Sequence, residues 1–141
     1  MSEVVRRPSV EDKAREGRPL SGLSVKLDLI AEADFLKQDR SWSHNGHSAK
    51  TLLKYSDFRA VLITIQARTR MSKHHTNHRV TLQVLDGCVR LHLPCEVVEL
   101  SRGQLLAIDR AIPHDLEAVE NSVVLLTLVW SKPPAAGDLG R

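Results

Sequence analysis

Long hydrophobic runs are missing from this chain. No stretch of about 18 consecutive apolar residues occurs in its 141 residues, so no helix is expected to span a bilayer. The opening segment, MSEVVRRPSVEDKAREGRPL, lacks the apolar stretch of a secretory signal, and a cytoplasmic protein is the expectation. Cysteine is scarce. The two present, Cys88 and Cys95, are not spaced as a Cys-x-x-Cys pair, which removes a zinc knuckle and a dithiol redox motif. They fit reduced thiols of that compartment. They stand near opposite ends of one expected strand, at least 20 Å apart at ~3.3 Å per residue. A disulfide needs Cα atoms within about 7 Å, so none is expected.

Charge of one sign is not concentrated either. Lysine and arginine number 20 against 17 aspartates and glutamates, a net charge of +3. Arg6 and Arg7 are followed at once by Glu11, Asp12 and Glu16. Nucleic-acid binding needs a clustered basic face, and no nucleic-acid partner is expected. There is no glycine-rich phosphate loop and no repeat of 20–50 residues. No nucleophile triad is visible: Asp115 follows His114 directly, and adjacent residues of a strand face opposite sides.

What is present is a 42% hydrophobic, 26% charged chain, the composition of one ordinary soluble domain. A domain near this size buries roughly 68–70% of its unfolded surface. Residues 1–22 carry Pro8 and Pro19 without periodicity and read as a flexible arm. Residues 23–131 read as the folded domain, and residues 132–141 as a loose Pro/Gly-containing tail. Asp28–Lys37 predicts a short amphipathic helix, with Leu29, Ile30, Ala33 and Phe35 among charges. Asp39–Ser48 reads as a loop.

From Thr51 onward the pattern is strand, turn, strand. Thr51–Tyr55, Arg59–Ala67, Val80–Leu85, Cys88–Leu93, Glu96–Leu100, Gly103–Ile108, His114–Val119 and Ser122–Trp130 are the expected strands. This spacing predicts an all-β sandwich or barrel with antiparallel neighbours. Asp86-Gly87 is a two-residue hairpin signal. Val61, Ile63, Ile65 and Ala67 share a face, as do Val80, Leu82 and Val84, and Val89, Leu91 and Leu93. His92 falls on a polar face. Ser122–Trp130 is apolar on both faces, and such a strand is covered on both sides. The second cover is either the N-terminal helix region, Leu27–Phe35, or a second subunit. A homodimer is expected, with the last strand at the interface and Leu126 and Leu128 as its test positions.

Between Thr51 and Trp130 the chain resembles the cupin superfamily, whose members carry the motifs G-x5-H-x-H-x3,4-E-x6-G and G-x5-P-x-G-x2-H-x3-N. The second reads here as Gly103-QLLAI-Asp109-Arg110-Ala111-IP-His114-DLE-Ala118. The first ends at Gly87; its Glu position is Val80, its histidine positions are Lys73 and His75, and its opening glycine is Ala67. The chain is also similar to small single-domain bacterial cupins that share its HH, GxLLA, PH and LLT segments. The resemblance implies an antiparallel β-barrel of the jelly-roll or double-stranded β-helix type, with one small-molecule pocket lined by His75, His114, Lys73, Val80 and Leu82. Of the four family metal ligands only His75 and His114 keep a ligand side chain. The resemblance leaves open one divalent transition metal, Zn, Fe, Mn or Ni, held by His75 and His114. A third ligand would come from His47 or His78, with His74 and Gln83 as weaker candidates. Catalytic residues are not assigned. Three functions follow: a small-molecule-binding, sensor or regulatory module; a metal-dependent oxygenase or isomerase with a reduced ligand set; or a dimerising accessory subunit.

Overall fold

The computed structural model describes residues 20–74 and 77–129, with backbone alone at Lys73 and His74. Most of the expected arm, the tail, Trp130 and His75 lie outside the described residues. Among the described residues two helices, α1 (Leu29–Leu36) and α2 (Arg40–Asn45), precede nine strands. The strands are β1 (His47–Lys54), β2 (Phe58–Ile65), β3 (Arg70–His74), β4 (Arg79–Asp86), β5 (Cys88–His92), β6 (Val97–Ser101), β7 (Leu105–Ile108), β8 (His114–Ala118) and β9 (Ser122–Val129). They form a five-stranded sheet, β1-β2-β9-β4-β7, and a four-stranded sheet, β3-β8-β5-β6. Each of their pairings is antiparallel. No helix among the described residues is long and apolar enough to cross a membrane.

Period-two alternation sorts the side chains into one core between the sheets. Ile63, Ile65, Leu82, Val84 and Val124 come from the five-stranded sheet, and Val89, Leu91, Leu100 and Leu116 from the other. Burying each such side chain contributes roughly 1.5–3 kcal/mol. The outer face of the five-stranded sheet is covered by α1, which starts where Asp28 accepts a hydrogen bond from the Ala31 amide at 3.1 Å. Ala33 and Leu36 of α1 pack on Leu52, Leu62 and Val123, with Leu53 and Leu125 at the margin. A bulge in β1 between Thr51 and Leu53 turns both Leu52 and Leu53 toward the helix. Buried Ser48 fixes the far end of α1: its hydroxyl donates to the Leu36 carbonyl at 2.8 Å and lies 2.8 Å from the Thr64 hydroxyl.

The second apolar face of β9 is therefore covered by α1 within one chain, at Val123 and Leu125. Leu126 packs against the core between the sheets. It belongs to the interior and is the wrong place to test an outer surface.

Three local expectations are corrected. The Asp39–Ser48 segment contains α2, capped by Asp39 on the Ser41 amide and ended by Gly46 at φ 82°, and it also begins β1. No residue of α2 is buried, so hydrophobic periodicity carries no trace of it. Arg70–His74 is a strand that the pattern does not announce, because only Met71 of its described side chains packs on the core. Asp86-Gly87 is not a hairpin: β4 and β5 lie in different sheets, and Gly87 carries the chain from one to the other. Consecutive strands pair only at β1–β2 and β5–β6.

Both cysteines are free, Cys88 buried and Cys95 exposed. Burial pushes the Cys88 thiol above its ordinary value. A thiolate-selective reagent at pH 8 is therefore expected to modify Cys95 quickly and Cys88 only on unfolding. Two equivalents reacting at one rate in native protein would contradict this packing.

Candidate functional site

Strand register defines two ends of the core. At one end the chain changes sheets through Gly87 and Asn121, where the Asn121 side chain accepts from the Ala67 amide at 2.8 Å. At the other end, a row of inward positions crosses the five-stranded sheet: Lys54, Arg59, Leu128, Val80 and Ile108. Behind it lies a second row: Thr51, Val61, Leu126, Leu82 and Leu106. On the facing sheet Met71, Leu116, Leu91 and Val98 form a row, and one step outward His74 is the register partner of His114. Val80 and Ile108 are 3% and 4% exposed, so the core wall reaches this mouth without a break.

The expected pocket residues fall around that mouth to different degrees. His114 opens β8, is half-buried, and shares the inward parity of Leu116 and Ala118. Its Nδ1 is 3.0 Å from the Ile112 carbonyl. A carbonyl only accepts, so Nδ1 carries the proton. Val80 and Leu82 are buried in the wall. His78 lies two residues before Val80, on the same parity, with Nδ1 buried. Lys73 is in β3, but its side chain lies outside the described residues, as does the whole of His75. The expected meeting of the His75 and His114 rings therefore falls outside them too.

His47 is a correction. It begins β1 opposite Ile65, which itself pairs with Ser122, at the end of the core away from His114. Along β8 alone the two ends differ by about 13 Å, and the sheets are about 10 Å apart. Two ligands at ~2.1 Å from one ion cannot bridge that gap.

Arg59 is the functional candidate that pattern reading missed. It is half-buried, its Nε is buried, and it stands two residues before Val61 on the inward face of β2. The alternation Val61, Ile63, Ile65 extends back to it, but an arginine at a strand start reads as a solvated end.

Away from the mouth, the outward face of the four-stranded sheet carries ion pairs. Arg70 meets Asp115 at 2.9 Å, Arg90 meets Glu99 at 3.2 Å, and His92 meets Glu117 at 2.7 Å. The His92 hydrogen bond holds the Glu117 carboxyl below its ordinary value. His92 is thus half-buried and paired rather than simply exposed. Asp115 points to this outer face, so no His114–Asp115 relay forms. A separate hollow of about 460 Å3 lies beside α1, floored by Leu29, Ala33, Leu85 and Val123.

No protein-family model and no curated protein matches the chain. Solved structures do. A conserved protein of unknown function from Streptococcus pyogenes is 20% identical over 82% of this chain and 95% of its own, with a TM-score of 0.62. KdgF from a Halomonas species is 21% identical over 62% of this chain and 82% of its own, TM-score 0.58. A cupin-2 domain protein from Shewanella frigidimarina is 14% identical over 77% and 94%, TM-score 0.59. This protein has the cupin fold. The position that the motif resemblance aligns with the family Glu is Val80, which is buried. Among the described residues no group of three His, Cys, Asp or Glu could hold a metal ion. Arg59 stands on the same inward row as Val80.

Proposed function

We propose that this cupin is a small-molecule-binding module, of sensor or regulatory type, whose ligand enters between the sheets at the end bearing His114 and His78. The observation that carries the reading is Val80, an apolar residue in the place of the family carboxylate, set in a wall with Leu82, Ile108 and Leu128. An apolar wall with a few polar groups at its rim suits an organic ligand. Its place of action is the cytoplasm, which its free thiols fit.

The second reading is a metal-dependent oxygenase or isomerase. It rests on His114 and His78 sharing one end of the core, with His75 shortly before His78 in sequence. Metal analysis of protein purified without added metal separates the two. Zn, Fe, Mn and Ni are each expected far below one equivalent per chain after dialysis. A stoichiometric metal that survives dialysis would overturn the binding-module reading in favour of the enzyme.

The homodimer is retained as a proposal on a different surface. Ile30 is 78% exposed on α1. It borders the 460 Å3 hollow, whose rim holds Asp34 and Asp86 beside Lys37 and Arg102. A rim carrying both signs is self-complementary across a two-fold axis, where Asp34 of one copy meets Lys37 of the next. Light scattering at micromolar concentration is expected to give twice the chain mass, and Ile30→Glu to halve it. A monomeric wild-type mass would remove the proposal and leave the accessory-subunit reading without support.

A further inference from the structure

We infer that the hollow beside α1 is a second ligand site, one that takes a free α-amino acid with an apolar side chain. The hollow lies on the outer face of the five-stranded sheet, away from the mouth that bears His114, and it is formed within one chain. It therefore stands whether or not the mouth binds a ligand, and whether or not the chain dimerises.

A volume of about 460 Å3 is within the range of small-molecule sites. The floor is apolar: Leu29 and Ala33, one helical turn apart on α1, pack with Leu85 near the end of β4 and Val123 on β9. The rim divides in two. On the helix side Ile30, Asp34 and Lys37 form one stripe. The Lys37 ammonium lies 6.0 Å from the centre of the Trp42 ring, on the side of α2. On the strand side Asp86 closes β4, and Arg102 sits in the turn between β6 and β7. That turn is tied to β4. The Gly103 amide donates to the Val84 carbonyl at 2.8 Å, and the Val84 amide to the Gln104 carbonyl at 3.0 Å. The Ser101 amide donates to the Gln104 side chain at 2.8 Å and closes the turn on itself. Backbone bonding therefore fixes Arg102 beside the strand end that carries Asp86.

Charge and shape then decide the class. Asp86 and Arg102 are exposed, and among the described residues neither side chain makes an ion pair or a hydrogen bond. Both keep their bonding capacity for a ligand. A planar guanidinium matches a carboxylate through two parallel hydrogen bonds, and the Asp86 carboxylate accepts from an ammonium. A ligand with a single charge answers one of the two and meets the other as a like charge. A zwitterion answers both. An α-amino acid carries its two charges on one carbon, the short spacing that a strand end and the turn bonded to it require. Its side chain then falls on the floor, where Leu29, Ala33, Leu85 and Val123 offer no side-chain donor or acceptor. A polar side chain would lose hydration there without replacement, so the class narrows to apolar amino acids.

L-Leucine and three relatives test this with the full chain, followed by amide and arginine Nε–Hε NMR signals. Isocaproate lacks the amine, isoamylamine lacks the carboxylate, and L-serine lacks the apolar side chain. L-Leucine is expected to shift the amides of Ala33, Leu85 and Val123 and the Arg102 Nε–Hε signal, saturating with a Kd of about 1 mM or tighter. Each relative is expected to bind about tenfold more weakly or worse. Arg102→Gln should weaken leucine about fivefold or more and leave isoamylamine unchanged; Asp86→Asn should weaken leucine likewise and leave isocaproate unchanged. Both side chains are exposed and unpaired, so neither variant should move the urea midpoint. Isocaproate or isoamylamine binding as tightly as leucine at the same amides would overturn the zwitterion assignment, and serine doing so would overturn the apolar side chain. No shift of those amides at about 10 mM leucine would overturn the site. The mouth amides of Val80, Ile108 and Leu128 appear in the same spectra. Leucine shifting those and not Ala33, Leu85 and Val123 would overturn the hollow as the site while supporting the mouth.

Discussion

Gly87→Ala should lower stability by about 2–5 kcal/mol. Two causes add. Gly87 has φ +91°, a conformation that costs an L-residue about 1–2 kcal/mol. A Cβ there would also lie 2.3 Å from the Ser122 hydroxyl oxygen and 2.4 Å from the Asn121 carbonyl oxygen. Neither can withdraw cheaply. The Ser122 hydroxyl is buried, accepts from the Cys88 amide at 3.0 Å, and lies within reach of the Glu120 carbonyl at 2.7 Å. It latches the two places where the chain changes sheets. Forcing it aside adds an overpacking cost of about 1–3 kcal/mol. Gly103 supplies the control. Its φ is +86°, yet a Cβ there meets nothing within 4 Å. Gly103→Ala should therefore cost only the backbone part, about 1–2 kcal/mol. Urea unfolding of both variants, with unchanged m, measures the difference. Equal midpoints would show that the Gly87 corner relaxes freely and that the Ser122 latch is weak.

The same corner shows why part of the fold was legible in the sequence and part was not. Strands with one apolar face announce themselves: Val80, Leu82 and Val84 alternate with polar or outer residues, and they are in the core or its wall. Asp86-Gly87 announces a reversal equally well, but a reversal within a hairpin and a crossing between sheets use the same left-handed glycine. Which occurs is decided by pairing partners far along the chain, β9 and β7 for β4, β8 and β6 for β5. Local sequence holds no record of those. β3 was hidden for a different reason. The strand lies at the sheet edge, where one row of backbone groups and the side chains of Arg70 and Ser72 meet solvent.

For the site, motif spacing put His114 and Val80 near strand starts, and β8 begins at His114 and β4 at Arg79. It could not rank His47 against His78. Both flank strands, and only the register of β1 on β2 shows that His47 is at the far end. Arg59 was hidden by residue type. Side-chain direction follows from Val61, Ile63 and Ile65, but a charged residue on an inward parity contradicts the rule that charges face water. At Arg59 the local pattern and the residue type contradict each other in this way.

Lys50→Met is the second large effect expected, a loss of about 3 kcal/mol. Its Nζ lies 3.0 Å from Glu32 Oε1, and the Glu32 side chain is 4% exposed against 23% for Lys50. A carboxylate this deep is tolerated when a cation and hydrogen bonds compensate its lost hydration; removing Lys50 takes away part of that compensation. The consequence reaches beyond the pair. Glu32 is on α1 and Lys50 on β1, so their separation sets how closely the helix sits on the outer face of the five-stranded sheet. Loosening it exposes Leu52, Leu62 and Val123, the residues of β1, β2 and β9 on which α1 packs. The prediction therefore includes more exposed apolar surface, read as dye binding, before global unfolding. The double variant Lys50→Met with Glu32→Leu separates charge from packing. Replacing both partners with apolar groups commonly restores stability, so the double variant should be more stable than Lys50→Met alone. The cycle should show coupling well above the 0.3–0.5 kcal/mol within which independent sites add. A double variant as unstable as the sum of the two singles would mean that the ion pair does not hold α1, leaving the buried Ser48 contact to the Leu36 carbonyl as its anchor.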